Sequence, residues 1–359
     1  MEYYIYVTND CNLDCSYCSV LFKDKKFNMP KLINYSLDTL VDFVSNIQKE
    51  TGDNIADIYF FGGEPTLEYG LITNIILAFS KIVDYKVNFV MHSNGLLIDN
   101  APLDVIRKID IMLLSINYEK IFTDNQVSPY WTKIINNIMN VRKIKNFPII
   151  GRITVSPNTS LYTECCMMGS FFDYIYWQID NSPSIPFEKY KKQYKNEIFL
   201  LYEYWLNFLR AGVFLRYAPF VSAIRHFLWS KTKPSKFYCG YGVSMIYIQT
   251  DGTCYACCDE VESKNHYIGN IKDGVNFPET NLHKLICNNC KYINICGGRC
   301  GRMHIDLPSN RINEFCQLNR FMFSLIEDTL PEIQSLILKY PTYVDKFKDP
   351  LIAYTEYTS

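Results

Sequence analysis

The feature that most constrains the fold of this chain is the regular alternation, in its first half, of short apolar segments with longer segments of helical period. Six segments rich in β-branched and aromatic residues are predicted as strands: Tyr3–Val7, Ile58–Phe61, Val87–Met91, Ile109–Ile116, Ile149–Val155 and Tyr174–Ile179. Helical periodicity lies between them, for example over Leu37–Gln48 and Trp131–Ile144. This alternation is typical of βα units around a parallel sheet, so it predicts an α/β fold with a partial (β/α)6 barrel.

The pattern changes beyond about residue 185. A helical segment around Glu197–Leu209 leads into a region dense in Cys, Gly and Asn, and Glu314–Lys339 has the period of an amphipathic helix that Pro331 is expected to kink or break. The tail from Tyr340 has no clear period. The sequence therefore predicts four segments: a barrel core (1–185), a helical bridge (186–235), a cysteine-rich domain (236–320) and a C-terminal helix with its tail (321–359).

The charge balance argues against a polyanionic partner. Lys and Arg total 36 residues and Asp and Glu total 37, so there is no excess of positive charge to attract nucleic acid or an anionic membrane. No segment approaches the roughly 20 consecutive apolar residues of a membrane span, and the N-terminal sequence lacks the pattern of a secretory signal. We expect a cytoplasmic protein with neither a nucleic acid nor a membrane as partner.

The 14 cysteines are clustered along the chain. Three fall between 11 and 18, two at 165 and 166, and nine between 239 and 316. Disulfides are typical of small secreted chains, whereas this chain has no secretory signal and is long enough to build a hydrophobic core. Thiolates bound to metal explain the cysteines better, and their distribution predicts two separate metal regions.

The first cysteine group follows the first predicted strand directly. Cys11, Cys15 and Cys18 therefore lie on a loop at the carboxyl end of that strand, where βα barrels place their catalytic groups. Three thiolates would leave one iron of a [4Fe–4S] cluster open to an outside ligand. The alternative is a zinc knuckle, but structural zinc requires a fourth protein ligand and none is nearby in the sequence.

The C-x3-C-x2-C spacing, its place after the first strand and the aromatic Tyr17 resemble the radical S-adenosylmethionine (SAM) superfamily. The resemblance implies that SAM chelates the open iron and that an electron from the cluster cleaves SAM to a 5′-deoxyadenosyl radical, which abstracts a substrate hydrogen. After the second strand, Gly62-Gly63-Glu64 resembles the family's GGEP motif, which binds the methionine amine of SAM. Glycines permit close backbone approach to a ligand, although a Gly-Gly pair alone is typical of a turn.

Residues at the ends of the later strands complete the cofactor site that this resemblance implies. They are Ser93, Asn94, Ser115, Asn117, Arg152 and Ile179. Arg152 suits the carboxylate of SAM, Ser115 and Asn117 suit ribose hydroxyls, and Ile179 would pack on adenine. The alternatives are that the Ser and Asn residues form turns and that Ile179 belongs to the core.

The second cysteine region resembles the SPASM extension of radical SAM enzymes, which carries two auxiliary iron–sulfur clusters. Its core reads C-x2-C-x5-C-x3-C over residues 287–300. By resemblance, the outer cluster is held by Cys287, Cys290, Cys296 and Cys316. The inner cluster is held by Cys239, Cys257 and Cys300, with Cys254, Cys258 or an open iron site completing it. A zinc ribbon is the alternative, although these cysteines outnumber the ligands of one tetrahedral site. Cys165 and Cys166 fit neither pattern and are read as bystander thiols.

Auxiliary-cluster domains accompany peptide or protein substrates in this family, and the sequence YYIYVTNDCNLDCSYC with the end DPLIAYTEYT resembles archaeal-type peptide-modifying enzymes. The resemblance implies an oxidoreductase-type modification, such as a crosslink, a thioether, an epimerisation or an oxidation. It also implies SAM, three [4Fe–4S] clusters and an external electron donor of the flavodoxin or ferredoxin type. A separate partner that binds the leader peptide is a further expectation.

Three alternative functions remain open at this stage. The first is formylglycine formation like that of anaerobic sulfatase maturases, with Asp259 as base; the alternative for Asp259 is a solvated loop acid. The second is a small-molecule radical SAM dehydrogenase. The third is a non-enzymatic iron–sulfur or zinc protein that acts as a redox sensor or an interaction module.

Overall fold

The structure is a computed structural model of the chain. The residues that it describes are 1–15, 18, 29–116, 122–123, 126–157, 159–180, 187–230, 232–258, 264–279 and 287–355. The chain forms two compact units. The first comprises Met1–Ser115, Ile121–Ile150 and Tyr241–Glu279, and the second comprises Ile116–Lys120, Gly151–Gly240 and Thr280–Ser359. The four segments derived from the sequence stay a prediction.

The strands are short and follow one another through most of the chain. They are β1 (Glu2–Thr8), β2 (Ile55–Gly62), β3 (Lys86–Ser93), β4 (Ile111–Ile116), β5 (Phe122–Thr123), β6 (Gln126–Val127), β7 (Ile149–Val155), β8 (Tyr174–Ile179), β9 (Met245–Ile248), β10 (Thr253–Tyr255), β11 (Tyr267–Asn270) and β12 (Gly274–Val275).

Helices separate most of these strands and dominate the C-terminal part. They are α1 (Leu37–Thr51), α2 (Tyr69–Phe79), α3 (Leu103–Lys108), α4 (Pro129–Ile144), α5 (Leu161–Met168), α6 (Phe187–Arg210), α7 (Ala218–Trp229), α8 (Ile293–Cys296), α9 (Gly301–Asp306), α10 (Ser309–Lys339) and α11 (Tyr343–Phe347). Short 3-10 turns cover Pro65–Leu67, Ile98–Asn100 and Pro350–Thr355.

The first unit is built on a sheet in which the strand order is β12-β11-β10-β9-β1-β2-β3-β4. β1 lies in the middle and pairs in parallel with β2 on one side and with β9 on the other. Tyr4 of β1 stacks on Tyr59 of β2 and on Tyr247 of β9, with ring centroids 4.1 and 4.3 Å apart. Strands β9 to β12 therefore extend this sheet: β9 pairs in parallel with β1, and β10 to β12 follow in antiparallel pairing.

Capping residues mark both ends of helix α1 in the first unit. Ser36 caps the N-terminus of α1 by accepting a hydrogen bond from the Thr39 amide, 3.1 Å away. Gly52 ends the helix in a left-handed conformation, with φ 69°. Because β1 to β4 are parallel, their carboxyl ends lie along one edge of the sheet. The loops after Thr8, Gly62 and Ser93 therefore meet at that edge.

The second unit contains most of β7, its neighbour β8, and the long helices α6 and α10, which pack on each other. Its core is aromatic. The Phe220 ring lies 5.1 Å from Tyr202 and 5.8 Å from Trp205, and the Trp205 indole donates to the Leu215 carbonyl at 2.8 Å. A donor partner lets the indole be buried without the cost of an unpaired N–H group.

The α/β class and the parallel sheet predicted from the sequence are confirmed, and all six predicted strands are present. Of the kink or break predicted at Pro331, the break is wrong, because α10 runs through this residue without interruption, and the kink stays a prediction. Pro331 is exposed, and the buried Ile326 and Ile333 on either side keep the helix packed. The tail also has more structure than expected, in α11 and the last 3-10 turn. Of the described helices, none is long and apolar enough to cross a membrane.

Candidate functional site

The turn after β2 fits tightly against the start of the first cysteine loop. The Gly63 amide donates to the Thr8 carbonyl and the Glu64 amide to the Asp10 carbonyl, both at 2.8 Å. A Cβ atom on Gly63 would lie 2.1 Å from the Asp10 oxygen, and one on Gly62, with φ 122°, would lie 2.3 Å from the Thr8 oxygen. Only glycine fits at these two positions, because the obstructing atoms belong to the backbone.

The three thiols of the first loop are half-buried beside this turn. The Leu13 amide donates to Cys11 Sγ at 3.4 Å, and the Cys18 amide donates to the Cys15 carbonyl at 3.1 Å. Burial raises the pKa of the Cys11 thiol to about 11, and the nearby Glu64, Cys15 and Cys18 contribute to the increase. Negative charge on the Cys11 thiolate is therefore disfavoured by burial and by its acidic neighbours. A bound cation would offset both effects.

Glu64 is buried and serves as the acceptor at the centre of the site. Its Oε1 atom accepts hydrogen bonds from the Ser93 hydroxyl at 2.7 Å and from the amide and hydroxyl of Thr66, while Oε2 accepts from the Asn94 amide at 2.8 Å. Desolvation raises the pKa of this carboxyl, and the hydrogen bonds oppose the increase. A carboxylate oxygen has two lone pairs, so Oε2 keeps capacity for one more donor.

Ser93 and Asn94 join the strand ends into one network. The Asn94 side chain donates to the Asn12 Oδ1 atom in the cysteine loop at 2.8 Å, and the Tyr130 hydroxyl donates to the Asn94 carbonyl at 3.4 Å. Ser115 lies 3.3 Å from the His92 Nε2 atom. The sequence analysis missed Asn12 and Tyr130, although Asn12 lies inside the cysteine motif and could have been found there.

In the second unit, Arg152 and Ile179 lie on strands β7 and β8. The Arg152 Nε atom donates to Gln178 Oε1 at 3.0 Å, and its Nη2 atom donates to the same oxygen. Ile179 is buried. The neutral amide of Gln178 therefore orients the Arg152 guanidinium group. Three predicted site residues, Tyr17, Asn117 and Asp259, lie outside the described residues.

The outer cysteine set is gathered in the second unit. The Cys290 amide donates to the Cys287 carbonyl at 2.9 Å, which forms a tight turn, and Cys287 Sγ lies 3.8 Å from His304 Nε2. Burial, with the neighbouring thiols, raises the pKa of Cys287 to about 11 and that of Cys296 to about 12. Cys316 on α10 contributes to both shifts, so the four thiols lie within electrostatic reach of one another.

The cysteines assigned to the inner cluster belong to both units. Cys254, Cys257 and Cys258 are in the first, and Cys239 and Cys300 are in the second. Cys254 is fully buried on β10, and desolvation raises its pKa. Cys165 is fully buried in α5, and burial raises the pKa of its thiol as well. The burial of Cys165 is consistent with a thiol that binds no metal, because burial disfavours the thiolate form.

Within the part of the chain that the structure describes, no three His, Cys, Asp or Glu side chains converge in a way that would hold an ion. The cysteines of the first loop and of the outer set nevertheless provide the thiolate chemistry that an iron–sulfur cluster requires. The ligand sets stay predictions from the sequence.

Known structures share this fold over most of their length. Hexahistidine-tagged anSMEcpe with bound AdoMet has a TM-score of 0.74 at 19% identity, over 99% of both chains. Native anSMEcpe with bound AdoMet and the Cp18Cys peptide has a TM-score of 0.68 at 19% identity, over 92% of this chain and 99% of the other. Streptococcus suis SuiB bound to S-adenosylmethionine has a TM-score of 0.54 at 15% identity, over 83% of this chain and 70% of the other.

Sequence comparison finds matches for the N-terminal region of the chain. The uncharacterised protein MJ0907 of Methanocaldococcus jannaschii is 28% identical over 167 residues, which is 43% of this chain and 52% of the relative, so the match spans about half the length of that relative. The family model of the radical SAM superfamily matches residues 5–160. This range contains the cysteine loop, the Gly62-Gly63-Glu64 turn and the polar ends of β3 and β4. The resemblance found in the sequence is confirmed: residues 5–160 of this chain match the radical SAM superfamily.

Proposed function

We propose that this protein is a radical SAM enzyme that reductively cleaves SAM to a 5′-deoxyadenosyl radical, abstracts hydrogen from a peptide or protein and so modifies it. One observation carries the proposal: backbone hydrogen bonds hold the Gly62-Gly63-Glu64 turn against the start of the loop with the three thiols. When bound, the cluster and SAM supply the electron transfer and the radical. The residues of this chain have to bind and orient them.

Several described residues suit that task. Cys11, Cys15 and Cys18 would hold the cluster and leave one iron for the amine and carboxylate of SAM. The free capacity of Glu64 Oε2 suits an ammonium donor, and the close backbone contacts of Gly62 and Gly63 keep that oxygen in place. Ser93 and Asn94 orient the carboxylate and are therefore positioning residues.

The first test measures 5′-deoxyadenosine released from SAM by anaerobically reconstituted, reduced protein. We expect release by the wild type and its loss in Cys15→Ala, whereas Cys166→Ala, which removes a half-buried thiol of α5, should retain it. A well-loaded wild type that gives no product would contradict the proposal and favour the non-enzymatic alternative. Equal release by the two cysteine variants would place the chemistry elsewhere.

The peptide substrate is supported by the auxiliary cysteine set and by the fold shared with anSMEcpe, one structure of which contains a peptide. Short Cys- or Tyr-rich peptides encoded beside this gene, synthesised with deuterated side chains, test it. Hydrogen abstraction from the peptide would transfer deuterium into 5′-deoxyadenosine. Deuterium that enters only from a small molecule would favour the dehydrogenase alternative. An external electron donor and a leader-binding partner remain part of the proposal.

Formylglycine formation on a sulfatase-type peptide is the second candidate, favoured by the fold shared with anSMEcpe. It requires the loss of two electrons from a Ser or Cys side chain: the 5′-deoxyadenosyl radical would take a hydrogen atom, a base would accept a proton and an auxiliary cluster would accept the second electron. Incubation with a sulfatase-motif peptide and mass spectrometry tests it. Enzyme that cleaves SAM but leaves this peptide unchanged would rule the candidate out and leave the main proposal intact.

A further inference from the structure

We propose that Arg299 is a positioning residue for the outer auxiliary cluster, whose buried positive charge raises the reduction potential of that cluster. The inference depends on the outer cluster of the proposed function, held by Cys287, Cys290, Cys296 and Cys316. It assigns a role to a residue that neither the cysteine spacing nor the SAM site explains.

Arg299 lies in the loop between two cysteines of the motif. Its amide donates to the Cys296 carbonyl at 3.1 Å, and Cys300 follows it directly. Its φ angle is 63°, and it is the one non-glycine residue with positive φ in the described part of the chain. Gly297 and Gly298 before it, with φ 59° and 77°, adopt the same conformation at no steric cost. Arginine thus occupies a position with a left-handed backbone conformation in which glycine would be less strained.

The guanidinium group of Arg299 is buried, and no carboxylate of the described residues pairs with it. Arg299 is 3% exposed, and its Nε, Nη1 and Nη2 atoms have no hydrogen-bond partner among the described residues. The group stacks over the Phe315 ring, with its carbon 5.0 Å from the centroid, and Phe315 directly precedes Cys316. Arg311 stacks on the same ring at 4.8 Å but is paired with Glu314 at 2.7 Å.

A buried cation with five unused N–H donors requires an anion nearby, since an unpaired buried charge strongly destabilises a fold. A cluster on four thiolates is such an anion. Its negative charge grows when it accepts an electron, so a fixed positive charge stabilises the reduced form more than the oxidised form. Because the site is buried, solvent and salt screen this effect only weakly.

The test is a potentiometric titration of the full-length chain, followed by electron paramagnetic resonance. Cys11→Ala, Cys15→Ala and Cys18→Ala are introduced together to remove the first cluster, and the outer signal is the one lost when Cys290→Ser is added. In Arg299→Gln we expect the one-electron reduction equilibrium to shift at least tenfold toward the oxidised form, which is a midpoint about 59 mV more negative.

Two variants serve as controls. Arg299→Lys keeps the charge and should hold the midpoint within half of that shift. Arg320→Gln removes an arginine one turn after Cys316 on the exposed side of α10, so its smaller effect should disappear at high ionic strength, whereas the Arg299→Gln shift should persist.

The outcomes separate the two hypotheses. If the wild type shows no electron paramagnetic resonance signal from the outer cluster, the outer cluster is rejected and this inference with it. The proposed cleavage of SAM is not affected by that result. A loaded Arg299→Gln variant with the wild-type midpoint overturns the role of Arg299 alone. If Arg299→Gln fails to load, the neutral Arg299→Met variant takes its place: a midpoint at least about 59 mV more negative than that of Arg299→Lys supports the charge effect, and equal midpoints contradict it.

Discussion

Gly63 shows how one residue can hold the candidate site together. Its backbone lies so close to the Asp10 carbonyl that Gly63→Ala would place a methyl group 2.1 Å from that oxygen and force the turn away from the cysteine loop. We expect a loss of about 3 kcal/mol of unfolding free energy and weaker iron loading. Gly70→Ala is the matched control, because Gly70 lies in α2 with free space around its Cα, and it should gain about 0.5 kcal/mol. Urea denaturation and iron analysis measure both, and equal stabilities would contradict the close-packing argument.

His226 gives a second residue-scale prediction, on pH. Its ring is buried, stacks on Tyr238 and lies 2.7 Å from the Ser230 hydroxyl, and desolvation lowers its pKa to about 4. The unfolded chain therefore binds a proton near pH 6.5 that the folded chain does not bind, so stability falls as the pH decreases from 6.5 toward 4. Between pH 6.5 and 5 this amounts to about 2 kcal/mol. Comparing urea unfolding of the wild type and His226→Gln over this range should show a shallower pH slope in the variant. Parallel slopes would assign the pH dependence to other groups.

Among the elements, helix α10 contains an interior proline, Pro331, without being interrupted by it. Pro331 removes one backbone donor, but it is exposed, so its replacement sacrifices no packing. Pro331→Ala should therefore raise the free energy of unfolding by about 2 kcal/mol, after the greater freedom of the unfolded chain is subtracted. Ser335→Ala, one turn later and also exposed, should change it little. Thermal unfolding followed by circular dichroism distinguishes them, and a less stable Pro331→Ala would mean that restriction of the unfolded chain is the larger effect.

The elements also show what sequence pattern could and could not predict. Strands β1 to β4 were predicted because each is a compact apolar segment bounded by turn residues. The strand β9 has the same composition, but it pairs with β1 across more than two hundred residues, and periodicity contains no information on such long-range pairing. The glycines and Glu64 of the site were predicted from a local motif. Asn12 lies within the same local motif, whereas the hydrogen bond of Tyr130 to the Asn94 carbonyl is a tertiary contact that only the structure reveals.

At the scale of the whole molecule, the cysteines fall into chemically different classes. Cys165 is enclosed in α5, where burial raises the pKa of its thiol and disfavours the thiolate that a metal requires. Cys287, Cys290, Cys296 and Cys316 lie within electrostatic reach of one another, with the buried Arg299 close by. Burial raises the pKa of Cys287, Cys296 and Cys316 as well, but the positive charge of Arg299 opposes the increase at Cys296 and Cys316 and so favours their thiolate forms.

This difference predicts how iron is distributed over the chain. If the first loop, the outer set and the inner set each hold a [4Fe–4S] cluster, anaerobic reconstitution should give roughly 12 iron and roughly 12 sulfide per chain. Cys290→Ser should then remove about four iron atoms, because it deletes one ligand of the outer set, whereas Cys165→Ser should remove none. Iron and acid-labile sulfide assays on the purified variants, together with a zinc determination, check the result. One zinc ion and no sulfide in the Cys15→Ala variant would show that the second region is a zinc ribbon, and equal iron losses in Cys290→Ser and Cys165→Ser would contradict the assignment of ligands.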